Sequence, residues 1–184
     1  KIYLEIGFND NRFNLWDFIV HPDHAVGSII GFRKYGLFNY DNIIFGLEYA
    51  NLIKGRHHIF RATPNWYDRS WYDNFSYEGR RWGAHSGSDS DDLLIFFGLM
   101  NNKWAFIPSF NFERHGVSTY RPPEIKFEFR IDVRYNIKSF EIGILYENQY
   151  EAHLGFPPDQ YFIDEITGKR RTNTFIIKLY KHLY

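Results

Sequence analysis

One stretch of this chain leaves little freedom of interpretation. In 124–135, EIKFEFRIDVRY, the residues Ile125, Phe127, Phe129, Ile131, Val133 and Tyr135 alternate without a break with Lys126, Glu128, Arg130, Asp132 and Arg134. Successive side chains of a β-strand point to opposite faces, so a strict period of two marks a strand with one apolar and one polar face. The same reading holds for 1–8, for 43–50, for 139–149 and for 174–183. It holds less regularly for about 24–35, 93–101 and 103–113, which makes eight strands in all. No segment makes a convincing amphipathic helix. Composition agrees with an all-β chain: 19 Phe, 14 Tyr and 5 Trp stand against a single Met.

The connections alternate in length. Asn101-Asn102 forms a tight turn, the link through 37–42 is short, and so is that through 136–139. By contrast 9–23, 54–91, 114–123 and 151–171 are long and hold most of the Gly, Pro, His and Trp. In an up-and-down sheet with an even number of strands, that rhythm puts every long loop at one end and both termini at the other. This is the pattern of an outer-membrane β-barrel, with short turns inside the cell envelope and long loops outside. The chain opens directly on alternating KIYLEIGFND, without an initiator Met or a secretory signal. We therefore expect either a removed signal or a piece of a longer polypeptide.

Alternation alone does not say which face is wet, because a soluble lipocalin-like barrel has the same rhythm with its apolar rows turned inward. Rows of Phe, Ile and Leu ending in Tyr or Trp, the one-sided loops and the terminal aromatic Tyr184 favour the membrane. Tyr184 shares a face with His182, Tyr180 and Lys178, out of phase with the apolar set unless a bulge intervenes. The fold expected is thus an antiparallel up-and-down transmembrane β-barrel, one unit over 1–184. Glu48, Glu128, Arg130, Asp132 and Arg134 would look into its lumen and pair across strands.

The 38 residues of 54–91 hold the candidate recognition surface. Trp66, Tyr67, Trp71, Tyr72, Tyr77 and Trp82 stand among Arg69, Arg80, Arg81, Asp73 and Asp89. Flat aromatic faces stack on the C–H faces of sugar rings, and short polar side chains beside them bind paired hydroxyls. The plainer alternative is that this segment folds inward, plugs the barrel and uses its arginines to neutralise lumen carboxylates. We expect Arg69, Arg80, Arg81, Asp73 and Asp89 either to contact glycan or to lock the loop, with Glu48 partnering Arg80 or Arg81. Catalysis finds little support. His21 and His24, or His57-His58, lack the spacing of a catalytic zinc site. Ser86 lies in no nucleophile elbow, and Asp89, Asp91 and Asp92 lack the spaced ligands of a calcium loop. Without Cys there is no thiolate site, and equal numbers of acidic and basic side chains argue against nucleic acid as partner. We expect no enzyme and no cofactor.

Glu48-Tyr49-Ala50, the tyrosine-rich stretch after it, Gly79-Arg80-Arg81-Trp82-Gly83 and Gly87-Ser88-Asp89-Ser90 together resemble the capsule-assembly Wzi family. Trp82 stands where an aliphatic is more usual. The opening LEIGFNDNRFNLWDFIVHPDH is similar to Bacteroidota-type members at Glu5, Asn9, Asp10, Asp17, Phe18, Pro22 and His24. The resemblance covers 1–100. It implies an outer-membrane barrel of about eighteen strands, of which this chain would be the C-terminal part, binding or retaining capsular polysaccharide through extracellular loops. The partners it implies are surface polysaccharide and outer-membrane lipid. The alternative is an accessory or structural barrel subunit within a larger complex of outer-membrane proteins.

Overall fold

The computed structural model of the chain describes residues 1–8, 15–22, 24, 26–55, 76–77, 80–81, 87–119, 122–137, 139–153 and 168–181. In chain order its elements are β1 (Ile2–Phe8), α1 (Leu15–Val20), β2 (Val26–Leu37), β3 (Tyr40–Asn51), β4 (Ser76–Tyr77) and β5 (Arg80–Arg81). They continue with β6 (Ser90–Met100), β7 (Trp104–His115), β8 (Glu124–Ile137), β9 (Phe140–Ala152) and β10 (Arg170–Lys181). Eight of the strands form one antiparallel sheet in the order β1-β2-β3-β6-β7-β8-β9-β10, and β4 and β5 pair as a separate small hairpin. The sheet is all up-and-down and open, with β1 and β10 as its edges.

The short turns follow from local chemistry. Between β2 and β3, Phe38 and Asn39 both have positive φ (53° and 66°), the two-residue geometry whose twist suits a hairpin. Gly36, at φ 71°, absorbs the register shift between Tyr35 and Leu37. Between β6 and β7, the Asn101 side-chain oxygen accepts from the backbone N–H of Lys103 (2.8 Å) and Trp104 (2.9 Å), and only 102–103 remain as the turn. Ile137 lies opposite Phe140, so 138–139 join β8 to β9. The N-terminus sits at this same rim, where Arg33 donates its backbone N–H to the Lys1 carbonyl, and β10 reaches the rim with Lys181 opposite Phe140. The long connections 9–25, 52–89, 116–123 and 153–169 all leave from the opposite rim.

Register makes each face continuous. Leu4 lies opposite Ile30, Ile30 opposite Tyr49, Tyr49 opposite Leu93, Leu93 opposite Phe112, Phe112 opposite Phe127, and Phe127 opposite Tyr150. The other face carries Tyr3, Glu48, Glu113, Lys126, Glu128 and Glu151. Exposure runs against the usual order. Phe97, Phe110 and Phe129, on interior strands, are about two-fifths exposed (42, 39 and 43%), whereas Glu113 and Asn111 on the charged face are 2% and 7% exposed. A soluble antiparallel sheet covers its apolar face and wets the polar one; here the charged face is the enclosed one around Asn111 and Glu113 on the central strands, while β1 and β10 are exposed on both faces.

Glycines let the charged face pack sideways. A Cβ on Gly31 would lie 2.1 Å from the Tyr3 ring, and one on Gly46 would lie 2.2 Å from the Phe96 ring. Each aromatic therefore lies flat over a glycine of the neighbouring strand. Tyr3 crosses β2 over Gly31 so that its hydroxyl donates to Glu48 on β3.

Two expectations change, and a third is not reached. Leu15–Val20 is helical, although the sequence shows no helix there: six residues are too few to display a period of 3.6. Several strands extend further than their alternation suggests: β6 starts at Ser90 and β10 at Arg170, in polar stretches that lack the pattern. The phase of Tyr184 lies outside the described residues, while Lys178 and Tyr180 fall on the charged face and Leu179 on the apolar one.

Candidate functional site

At the long-loop rim, both ends of the 52–89 connection and the start of 116–123 converge on one side chain. Gly87, at φ 77°, turns the chain into β6, and Asp89 follows at φ 54° with 5% of its surface exposed. Its carboxylate accepts from the backbone N–H of Lys54 (3.2 Å) and of Ser118 (3.1 Å), and from the hydroxyls of Ser118 (2.6 Å) and Thr119 (2.8 Å). Its own carbonyl accepts from the N–H of Val117 (3.0 Å). Ser90 donates to the Gly87 carbonyl (2.6 Å), closing the turn. Asp89 thus ties 52–55, 87–90 and 116–119 together. Both of its carboxylate oxygens are engaged in these hydrogen bonds.

Beside it, Asp91 lies on the apolar face opposite Arg114. The guanidinium grips the carboxylate by two nitrogens, Nε at 2.8 Å, and the Tyr49 hydroxyl donates to the same carboxylate at 3.1 Å. Further round the same face Asn173 accepts from Tyr146 (3.0 Å) and Asn148 (2.7 Å), and the Arg171 guanidinium lies over the Tyr150 ring. The apolar rows therefore end at this rim in a belt of hydrogen-bonding groups.

The charged face centres on Glu113. Its carboxylate contacts Lys126 directly opposite, Asn111 and His115, each at 3.1 Å. Lys126 reaches on to Glu128 at 3.2 Å. Asp132 holds Arg134 at 3.0 Å and Arg130 at 4.0 Å, and Arg170 pairs with Glu151 across β9 and β10. The expected cross-strand network is thus only partly cross-strand. Glu128, Arg130, Asp132 and Arg134 pair along β8: β7 places Asn111, Ser109, Ile107 and Ala105 opposite them, and β9 places Gln149, Glu147, Leu145 and Gly143. Glu48 accepts from the Tyr3 hydroxyl; its expected pairing with Arg80 or Arg81 falls on side chains outside the described residues.

Comparisons with protein-family models, curated proteins and solved structures returned no match. The Wzi resemblance rests on its quoted residues alone.

Of the expected carbohydrate-binding residues, Trp66, Tyr67, Arg69, Trp71, Tyr72, Asp73 and Trp82 lie outside the described residues. Tyr77, Arg80 and Arg81 fall on the β4–β5 hairpin, where the backbone is described. Among the described residues, no group of three or more His, Asp or Glu is placed to hold a metal ion. Sequence reading missed Glu113 and Arg114. The signal was available in the alternation of β7, which puts Glu113 and Asn111 on the charged face, but their partners follow only from register.

Proposed function

We propose that this chain forms the wall of a bacterial outer-membrane β-barrel of the capsule-assembly Wzi type, whose long loops bind or retain surface polysaccharide. One observation carries the membrane half: the Phe-, Ile- and Leu-bearing face is open while the charged face is enclosed. Burying two-fifths-exposed Phe side chains in hydrocarbon is favourable by roughly 25 cal/mol per Å². The apolar row of β8 runs from Ile125 to Ile137; at ~3.4 Å per residue and a tilt near 45° it spans about 30 Å, the thickness of a hydrocarbon core. The belt formed by Tyr49, Arg114, Tyr150 and Arg171 then meets the polar headgroups. The polysaccharide half rests on the aromatic-rich segment 54–91 and on the family resemblance.

Spin labels at successive β8 positions 127–132, in reconstituted bilayers, test the first half. Odd positions should collide mainly with oxygen and even ones with a water-soluble nickel reagent; uniform nickel access overturns it. The second half fails if Trp71→Ala and Trp82→Ala leave capsule retention unchanged and a glycan array gives no binding.

A further inference from the structure

The apolar face changes chemistry at both ends of β10. Register puts Arg171, Asn173, Phe175, Ile177, Leu179 and Lys181 on that face, and alternation carries it on to Lys169, just outside the strand. Lys169, Arg171 and Lys181 are all exposed. Arg171 and Lys181 are ten residues apart, which at ~3.4 Å per residue and a tilt near 45° makes about 24 Å of depth, close to the ~25 Å apolar band of an outer-membrane barrel. Arg171 therefore stands at headgroup level on the long-loop rim, and Lys181 at headgroup level on the other. Among the described residues, the apolar face of β7, β8, β9 and β10 carries no carboxylate to neutralise them. Glu151 lies on the charged face and pairs with Arg170, and Asp91, on β6, is gripped by Arg114. The Arg171 guanidinium leans inward over β9, 5.8 Å from the centroid of the Tyr150 ring. A guanidinium held over a ring keeps its in-plane N–H donors for another acceptor.

We propose that Lys169 and Arg171 form a binding site for a membrane lipid bearing a phosphomonoester, in the leaflet at the long-loop rim. Residues two apart on one face of a strand stand about 7 Å from each other, near enough for an ammonium and a guanidinium to converge on one phosphate. Arg supplies paired N–H donors and Lys a compact point charge. A phosphomonoester carries about −1.5 to −2 charges at pH 7, matching the two cations, whereas a diester carries less. Next to the pair toward the middle of the strand come Asn173 and then Phe175, Ile177 and Leu179, the order in which a lipid presents headgroup and acyl chains. Lys181, on the opposite rim, is the lone cation at its end of this face of β10. The site rests on the membrane reading above, because a lipid reaches it only where that apolar row faces hydrocarbon.

The test uses nitroxide-labelled phosphatidic acid, phosphatidylglycerol and phosphatidylcholine, each at trace level in phosphatidylcholine vesicles holding the protein. Electron paramagnetic resonance reads the fraction of each lipid immobilised by the protein. Phosphatidic acid, the phosphomonoester, should be held at least about fivefold more tightly than phosphatidylcholine, the attraction of roughly one basic group for an anionic surface, and more tightly than the diester phosphatidylglycerol. Lys169→Gln with Arg171→Gln should bring phosphatidic acid down to the level of phosphatidylglycerol, and Lys181→Gln should leave the preference unchanged. An unchanged fraction of immobilised phosphatidylcholine shows that each variant is folded and inserted. Equal binding of the two anionic lipids by the unaltered protein, an undiminished preference in the double variant, or an equal loss in Lys181→Gln overturns the site. Exchanging chloride for inorganic phosphate at constant ionic strength should not remove the preference; its removal would assign the site to free phosphate and overturn the lipid assignment. Immobilised lipid without preference defeats this site alone, whereas no immobilised lipid of any kind defeats the membrane reading with it.

Discussion

Asp89 combines a left-handed backbone with a buried carboxylate serving three chain segments. Truncating it leaves the half-buried donors of Lys54 and Ser118 without their acceptor, each costing about 1 kcal/mol or somewhat more. Asp89→Ala should therefore lower stability by roughly 2–4 kcal/mol, read as the unfolding midpoint. Limited proteolysis should then cut first at 52–55 and 116–119. Asp89→Asn, which tolerates the same φ and keeps one acceptor, should cost clearly less. Gly46→Ala sets a methyl against the Phe96 ring and should cost about 1–3 kcal/mol. Added to Phe96→Ala it should cost almost nothing more, a coupling that a double-mutant cycle would show. Phe38 runs the other way: it is a bulky, 83% exposed residue at positive φ. Phe38→Asn should stabilise the hairpin by about 0.5–1 kcal/mol in the same unfolding measurement.

At the scale of the strand, the decisive quantity is which face meets what. Phe110→Arg puts a charge in the middle of the apolar face, where it should cost ~2–4 kcal/mol in a bilayer. Glu128→Gln, on the charged face of the neighbouring strand, should change folding into liposomes little. A folding titration in lipid should rank the two in that order. Eight strands and both faces were legible in the sequence because alternation is a local property that every strand displays in its apolar stretch. The ends were not. Ser90 to Asp92 and Arg170 to Asn173 are polar on both sides, so nothing distinguishes them from loop until Asp91 is seen to oppose Arg114 and Arg170 to oppose Glu151. The short helix α1 was hidden for the opposite reason, a regular period over too few residues.

For the molecule as a whole, the segregation of connections was readable from loop lengths alone, since antiparallel neighbours joined in sequence leave no other arrangement. The candidate site was less readable. Asp89 stood out as a loop residue, but its partners Lys54, Ser118 and Thr119 are 29–35 residues away along the chain, and only the sheet brings them together. The three two-residue hairpins, β2–β3, β6–β7 and β8–β9, also set a folding order. Each closes a minimal loop and forms on the microsecond scale. Joining β3 to β6 across thirty-eight intervening residues, or β9 to β10 across seventeen, carries a larger loop-closure entropy. Assembly therefore proceeds from three preformed ribbons that zip toward one another, and the knot of hydrogen bonds around Asp89 can tighten only after the β2–β3 and β6–β7 ribbons have docked.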